Sequence, residues 1–263
     1  PWNSRQVFEK VARGVGDFIG GRKSVFVADE SGGLKAGNCS VGVARQYIGQ
    51  VGKTDNGQVG VFGALTDGLH YALIDADLYL PQEWIDDKGR LDRAGVPLEY
   101  RTHRSVTTIA LEQVKHALSR GVRFGWVASD ASYGKNLDFS LAVADLGLLF
   151  LTDIPGNRHV FERKPHFKVP PYCGRGPVPV HERPTTESTR VDEIVKTSRQ
   201  KEWKRINVRQ GTKGIVVYEY LLRRVWLPDS REGVPENTFR QVWLVIRRDP
   251  RDKDEVKYSV SNA

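Results

Sequence analysis

The alternation of apolar strands with amphipathic helices between residues 105 and 151 constrains the fold most strongly. Apolar residues recur at helical spacing before Gly121, at Val106, Ile109, Ala110, Val114 and Leu118. The buried strand FGWVAS follows, and a second helical stretch over 137–146 leads to the strand 148–151. Strand, helix, strand crossovers make the strands parallel neighbours in one sheet. This order predicts an α/β domain.

The preceding residues add a helix and several antiparallel strands to that domain. The segment SRQVFEKVARGVGDF has apolar residues at helical spacing, and Gly20 and Gly21 end it. Four β-branched or alternating runs follow, namely SVFVADE, VGVARQY, QVGVFGALT and HYALIDADLYL. The sequence therefore predicts a mixed sheet flanked by helices.

The composition of the chain changes after Asp153. Residues 155–184 are rich in proline and glycine and predict irregular chain at the surface. After a short helical piece at 192–197, the runs WKRINV, IVVYEYLLRRVWL, FRQVWLVIRR and VKYSVS alternate apolar with basic residues. We predict a leading helix at 1–23, a core at 24–154, and at 155–263 a proline-rich boundary followed by a basic, mainly antiparallel β-rich module.

The positive charge is confined to the second half of the chain. Residues 1–150 contain 17 basic and 17 acidic residues, whereas residues 151–263 contain 23 and 15, which accounts for the whole net charge of +8. Net positive charge that is concentrated in one part of a chain indicates a polyanionic partner, most often nucleic acid. A basic surface that only keeps the protein in solution is the alternative.

Localisation is predicted from what the sequence lacks. It has no run near the ~18 apolar residues of a membrane span and no secretory signal core. It has only two cysteines, Cys39 and Cys173, too few for a disulfide scaffold. We therefore expect a soluble, cytoplasmic protein without membrane contact. The absence of Met suggests that the sequence begins inside a longer reading frame.

Two aspartates follow apolar strands in the predicted core. Asp29 ends the strand VFVA, and Asp130 ends FGWVAS. Ligand sites in open α/β sheets gather at the carboxyl ends of strands, and two neighbouring carboxylates favour Mg²⁺ or Mn²⁺. The alternative is that each aspartate only caps the following turn or helix. Strand alternation places Glu30 on the opposite face, and Asp75 and Asp77 are expected to be solvated or capping.

The amino-acid sequences of these segments resemble those of the DDE transposases of bacterial insertion sequences. The resemblance is carried by VADESGGLKAGNCSVGVARQYIGQVGKTDNGQVGVFGALTDGLHYALIDADLYLPQEW, by GVRFGWVASDASYG, and later by WLVIRR and KYSVSNA. It implies an RNase H-like core similar to that of retroviral integrase. It also implies that Asp29 and Asp130 are the first two catalytic acids, which hold two Mg²⁺ or Mn²⁺ ions for DNA cleavage and strand transfer.

The same resemblance implies DNA contact by the β-rich module, and a homodimer on DNA would suit that role. Phosphates would be neutralised by Lys201, Lys204, Arg205, Arg223, Arg224, Arg247 and Arg248. Trp203, Trp226 and Trp243 would stack on unpaired or flipped bases, or they face the core of the module instead. In the bacterial cell the protein would associate with the nucleoid when acting.

The family pattern also requires a third acid, a glutamate on a helix after the β-rich module. The acids at 252, 254 and 255 fall in a polar turn between strands, so the sequence predicts a chain truncated before that helix and inactive alone. Two rival functions remain: a transposase-derived DNA-binding protein without catalysis, and a nuclease of the same fold that does not join strands.

Overall fold

A computed structural model describes residues 4–212 and 214–263. The chain divides into two compact units at the bond between Ser129 and Asp130, which lies inside the predicted core of residues 24–154. The predicted domain boundaries after residues 23 and 154 stay predictions.

In its described residues, the first unit combines five strands with four α-helices. The strands are β1 (Gly21–Leu34), β2 (Ala44–Ile48), β3 (Lys53–Thr66), β4 (Tyr71–Leu78) and β5 (Phe124–Ser129). The helices are α1 (Ser4–Ile19), α2 (Gln82–Asp86), α3 (Lys88–Arg93) and α4 (Val106–Ser119). The sequence patterns indicated all of these except the short helices α2 and α3.

The sheet of the first unit is mixed. Its strands lie in the order β5, β1, β3, β2, and β4 also pairs with β3. All of its pairings are antiparallel except that of β1 with β5, which is parallel. Helix α4 provides the crossover before β5, and it packs on β1, β3 and β4. Ile109 and Val114 on this helix are buried, as are Val61 and Leu65 of β3, and Gln113 Nε2 donates to the Val61 carbonyl at 2.9 Å.

The second unit contains the β-rich module. Its helices are α5 (Ala131–Gly134), α6 (Asp138–Asp145) and α7 (Val191–Thr197). Its strands are β6 (Leu149–Ile154), β7 (His159–Val160), β8 (Phe167–Lys168), β9 (Arg183–Pro184), β10 (Thr189–Arg190), β11 (Lys204–Gly211), β12 (Gly214–Pro228), β13 (Phe239–Arg248) and β14 (Val256–Ser261). The proline-rich stretch is thus not wholly irregular, because two-residue strands occur within it.

The large sheet of the second unit is antiparallel. Strands β11, β12, β13, β14 and β6 follow one another. Leu221, Leu244, Ile246 and Val260 are fully buried on it, because they alternate with outward-facing residues along their strands. Together the two units confirm the predicted class: an RNase H-like α/β fold with a mixed sheet, flanking helices and a mainly antiparallel β-rich part.

Candidate active site

Asp29 and Asp130 each come directly after one of two residues that are paired in neighbouring strands. In the parallel pair β1–β5, Ala28 lies opposite Ser129. Asp29 is the next residue of β1, which continues to Leu34. The prediction that Asp29 ends its strand is therefore wrong, because pairing with β3 extends β1 beyond it. Asp130 is joined to Ser129 by the peptide bond that leaves β5. Because the two strands run in the same direction, this register brings both aspartates to one position along the sheet.

Three carboxylates gather at this position, and we call Asp29, Glu30 and Asp130 the acidic cluster. One carboxylate oxygen from each residue lies within 4.8 Å of the other two. Asp29 and Asp130 are exposed, whereas Glu30 is partly buried. The inclusion of Glu30 differs from the expectation that strand alternation turns it away. Alternation fixes only the direction of the Cβ atom, and the longer glutamate side chain reaches the cluster.

Local hydrogen bonds orient the two aspartates. The backbone N–H of Glu30 donates to Asp29 Oδ1 over 2.9 Å. Asp130 is the N-cap of α5, and its Oδ1 accepts from the backbone N–H of Ser132 at 2.9 Å and from Ser132 Oγ at 2.6 Å. Asp130 therefore caps α5, and this capping is compatible with membership of the cluster because a carboxylate has two oxygens with several lone pairs.

The donor set suits a hard divalent cation. Mg²⁺ and Mn²⁺ prefer carboxylate oxygens, and the cluster supplies three carboxylates. Two oxygens that each bind one Mg²⁺ at about 2.1 Å lie at most about 4.2 Å apart. The separations of up to 4.8 Å need only a small closure to reach that distance, so the residues present fit such an ion.

Asp75 and Asp77 belong to a different environment. Asp75 is buried, and Arg120 Nη1 donates to its Oδ2 at 3.1 Å. Arg104 Nη1 donates to Asp77 Oδ2 at 2.9 Å. Burial raises the pKa of Asp75, although Arg120 acts in the opposite direction. The expectation of solvated or capping residues is wrong for Asp75, because the arginine stabilises a buried carboxylate.

Several of the predicted DNA-binding residues have partners within the β-rich module. Arg248 is buried, and its guanidinium donates to Glu219 Oε2 at 2.8 and 2.9 Å. The same guanidinium lies 3.7 Å from the ring centroid of Trp203, which is also buried. These two residues contribute to the packing of the module. Arg205 also contacts Glu219, at 3.1 Å, but is itself exposed.

The remaining predicted residues are more accessible. Arg223 pairs with Glu202 at 2.7 Å, and Arg224 lies 4.0 Å from the ring centroid of Trp243, its cross-strand neighbour. Arg247 lies 4.7 Å from the ring centroid of Tyr218. Lys201 and Lys204 are exposed, whereas Trp226 and Trp243 are partly buried. DNA contact by these residues and base stacking by the tryptophans stay predictions.

Two residues of the site are not predicted by the sequence patterns. Strand alternation excludes Glu30, although a second acid beside Asp29 is itself a signal of concentrated negative charge. The only signal for Ser132 is Asp130 itself, because an N-cap aspartate accepts from the backbone N–H two or three residues later.

Similarity to known proteins identifies the family of this chain. The model of a DDE superfamily endonuclease matches residues 1–215. The chain belongs to this superfamily. Its matched region includes the acidic cluster and reaches into the β-rich module. Endonucleases of the DDE superfamily typically depend on divalent metal ions, in agreement with the donor set.

A curated relative supports the same assignment. The chain is 30% identical over 166 residues to the "Probable transposase for insertion sequence element IS701" of Microchaete diplosiphon. The alignment covers 61% of this chain and 39% of the relative, so the chain spans about two fifths of the length of that protein. In the part of the chain that the structure describes, no helix has the length and apolarity needed to cross a membrane.

Proposed function

We propose that this chain is the catalytic region of an insertion-sequence transposase, which cuts DNA at transposon ends and transfers the strands. The observation that carries the proposal is the position of Asp29 and Asp130, one residue beyond the Ala28–Ser129 register pair of two parallel strands. The match to a DDE endonuclease and the similarity to a probable transposase support it.

Both proposed reactions are in-line displacements at phosphorus. The oxygen of a water molecule or a DNA 3′-hydroxyl forms a bond to phosphorus while the bond to the leaving 3′-oxygen breaks. Asp29 and Asp130 would hold two Mg²⁺ or Mn²⁺ ions, which supply activation of the attacking oxygen and stabilisation of the leaving one. Ser132 fixes the orientation of the Asp130 carboxylate through its two hydrogen bonds, and Glu30 adds a third carboxylate.

The β-rich module is the proposed DNA-binding surface. Strand β11 is exposed along almost its whole length and includes Lys204, Arg205 and Arg209. Together with Lys201 and the accessible arginines of β12 and β13, these side chains would neutralise backbone phosphates. The net charge of +8 in residues 151–263 supports this role. A homodimer on DNA is part of the same proposal.

The proposal is tested with DNA that carries the sequences flanking the parent reading frame on both sides. The protein encoded by the full reading frame and, separately, this chain alone are incubated with this DNA and Mg²⁺, Mn²⁺ or EDTA. In the full-frame protein we expect metal-dependent nicking and strand joining that falls by about 10³-fold or more in Asp29→Asn and Asp130→Asn. Asp17→Asn, which changes an exposed aspartate of α1, serves as the matched control.

The outcomes separate the rival functions. Binding without any metal-dependent cutting would favour a DNA-binding protein without catalysis. Cutting without strand joining would favour a nuclease. Cleavage by this chain alone would also overturn the expectation that it is inactive without a third acid from a later helix. Cleavage that survives both aspartate substitutions would refute the proposed site.

A further inference from the structure

Arg158 occupies an unusual position in the second unit. It follows the turn after β6 and is partly buried. Its Nη1 donates to the backbone carbonyl of Lys135 at 2.9 Å. A guanidinium carries five N–H donors, so this contact uses a small part of its hydrogen-bonding capacity.

Among the described residues, no carboxylate balances this charge. Within the described ranges 4–212 and 214–263, no acidic side chain lies within 4.0 Å of the Arg158 guanidinium, whereas Arg231 and Arg248 each contact a buried acid of the same unit. Burial lowers the pKa of Arg158, and no acidic neighbour raises it again. A partly desolvated charge without a counterion costs stability, which indicates that its anion comes from outside the chain.

The main chain holds Arg158 in place. Its N–H donates to the Pro155 carbonyl, and its own carbonyl accepts from the N–H of Val191, both at 3.0 Å. The N–H of Asp192 donates to the Gly156 carbonyl at 3.0 Å. The turn is thus tied to the start of α7, and the arginine is pre-positioned.

The carbonyl that holds the guanidinium is also fixed close to Asp130. Helix α5 starts directly after Asp130 and packs on β6 so closely that a Cβ atom at Gly134 would lie 1.8 Å from the Asp153 carbonyl oxygen. Lys135 follows that glycine. With a rise of 1.5 Å per residue, the five steps from Asp130 to Lys135 span about 7.5 Å. Neighbouring phosphates along one DNA strand are separated by a comparable distance.

We propose that Arg158 binds a DNA backbone phosphate beside the phosphodiester that is cut at Asp130. This inference rests on the proposed function, because it assumes that DNA reaches the acidic cluster. A guanidinium presents parallel N–H groups that match two phosphate oxygens. The phosphate would supply the counterion that the free protein lacks. Arg158 is therefore a substrate-binding residue, and its cost in the free protein is recovered when DNA binds.

The test uses the chain in EDTA, so that binding is measured without cleavage. The probe is a fluorescent DNA duplex that carries one flanking sequence of the reading frame. Arg158→Gln should weaken binding by about tenfold or more, since a charge-assisted hydrogen bond is lost, and should reduce the salt slope by about 0.9. Arg163→Gln removes the same charge from an exposed position in the same segment and should change affinity by less than about threefold.

Thermal unfolding provides the second measurement. Arg158→Gln should leave the melting temperature unchanged or raise it, because it removes a charge without a counterion. Arg158→Lys should bind with intermediate affinity, since it keeps the charge and loses the paired donors. A neutral methylphosphonate at the contacted phosphate should make wild type and Arg158→Gln bind equally.

Two results would overturn the inference. Unchanged affinity and salt slope in Arg158→Gln would exclude the phosphate contact. A lower melting temperature with unchanged affinity would show that Arg158 only stabilises the turn. Neither result depends on metal, so cleavage that requires Asp29 and Asp130 would still support the proposed function. Conversely, weaker binding by Arg158→Gln in a protein that never cuts DNA would leave the phosphate contact standing without catalysis.

Discussion

The acidic cluster and the β-rich module differ in how their charges are balanced. In the acidic cluster, carboxylate oxygens of Asp29, Glu30 and Asp130 lie within 4.8 Å of one another. In the module, Glu219 lies between Arg205 and Arg248, which are its direct cross-strand neighbours on β11 and β13. The buried charge of Glu219 is thus neutralised by residues of the module itself. The acidic cluster concentrates charge of one sign, as expected where an external cation is to be bound.

The largest effect on stability should come from breaking the central ion pair of the module. Glu219→Ala leaves the buried Arg248 without its carboxylate, which costs about 3 to 5 kcal/mol for a buried pair. We expect urea unfolding to show this loss in free energy. Glu255→Ala changes an exposed acid and should cost less than about 0.5 kcal/mol.

A double substitution sharpens this test. Glu219→Leu with Arg248→Met replaces the pair by apolar side chains and should recover most of the lost free energy. If Glu219→Ala alone is neutral, the pair does not stabilise the module, and the contrast with the acidic cluster fails.

Acid should weaken a second pair in the same unit. Hydrogen bonds from Arg231 and Arg240 outweigh burial and lower the pKa of Asp229 from 3.8 to about 2. A lowered pKa means that the native state is stabilised above pH 4 and that this contribution is lost as the pH falls from about 4 to 2. The shift corresponds to about 2 kcal/mol.

The measurement is the free energy of unfolding as a function of pH. Wild type should lose stability over that range, whereas Asp229→Asn should begin less stable at pH 6 and change less between pH 4 and 2. Parallel curves for the two proteins would exclude Asp229 as the source of the acid dependence.

The acidic cluster should bind an added divalent cation, and its affinity should depend on each of its carboxylates. Glu30→Gln removes one carboxylate from a site that binds hard cations, and we expect Mn²⁺ affinity to fall by about tenfold, or about 1.4 kcal/mol. Calorimetric titration with Mn²⁺ measures this directly. Glu99→Gln, an exposed acid of the first unit, should leave the affinity unchanged. Equal affinities for wild type and Glu30→Gln would remove Glu30 from the site.

The sequence predicts the elements of both regions better than their side-chain contacts. Periodicity located β1, α4 and β5, because long runs of alternating or helical pattern carry a strong signal. It missed α2 and α3, which have five and six residues, too few to show a helical period. Asp130 follows the end of β5 as the pattern predicts, whereas Asp29 lies inside β1, because the strand continues through the glycines to Leu34.

The partners of the basic residues could not be read in the same way. Glu219 and Arg248 are 29 residues apart, and their contact depends on the register between β12 and β13. A one-residue slip would place the two side chains on opposite faces. The alternation of apolar and basic residues therefore indicated a sheet, but not which arginines are neutralised within it.

The smallest expected effect distinguishes the exposed basic residues from the neutralised ones. Lys204 is exposed at the start of β11, so Lys204→Gln should leave the free energy of unfolding within about 0.5 kcal/mol. It should reduce the salt slope of DNA binding by about 0.9, because one phosphate contact is lost. Lys10→Gln makes the same change in charge on an exposed residue of α1 and should leave the slope unchanged. Fluorescence anisotropy between 50 and about 200 mM salt measures both. If Lys10→Gln lowers the salt slope and Lys204→Gln does not, the DNA contacts lie on the first unit. The net positive charge of residues 151–263 would then not bind DNA phosphates.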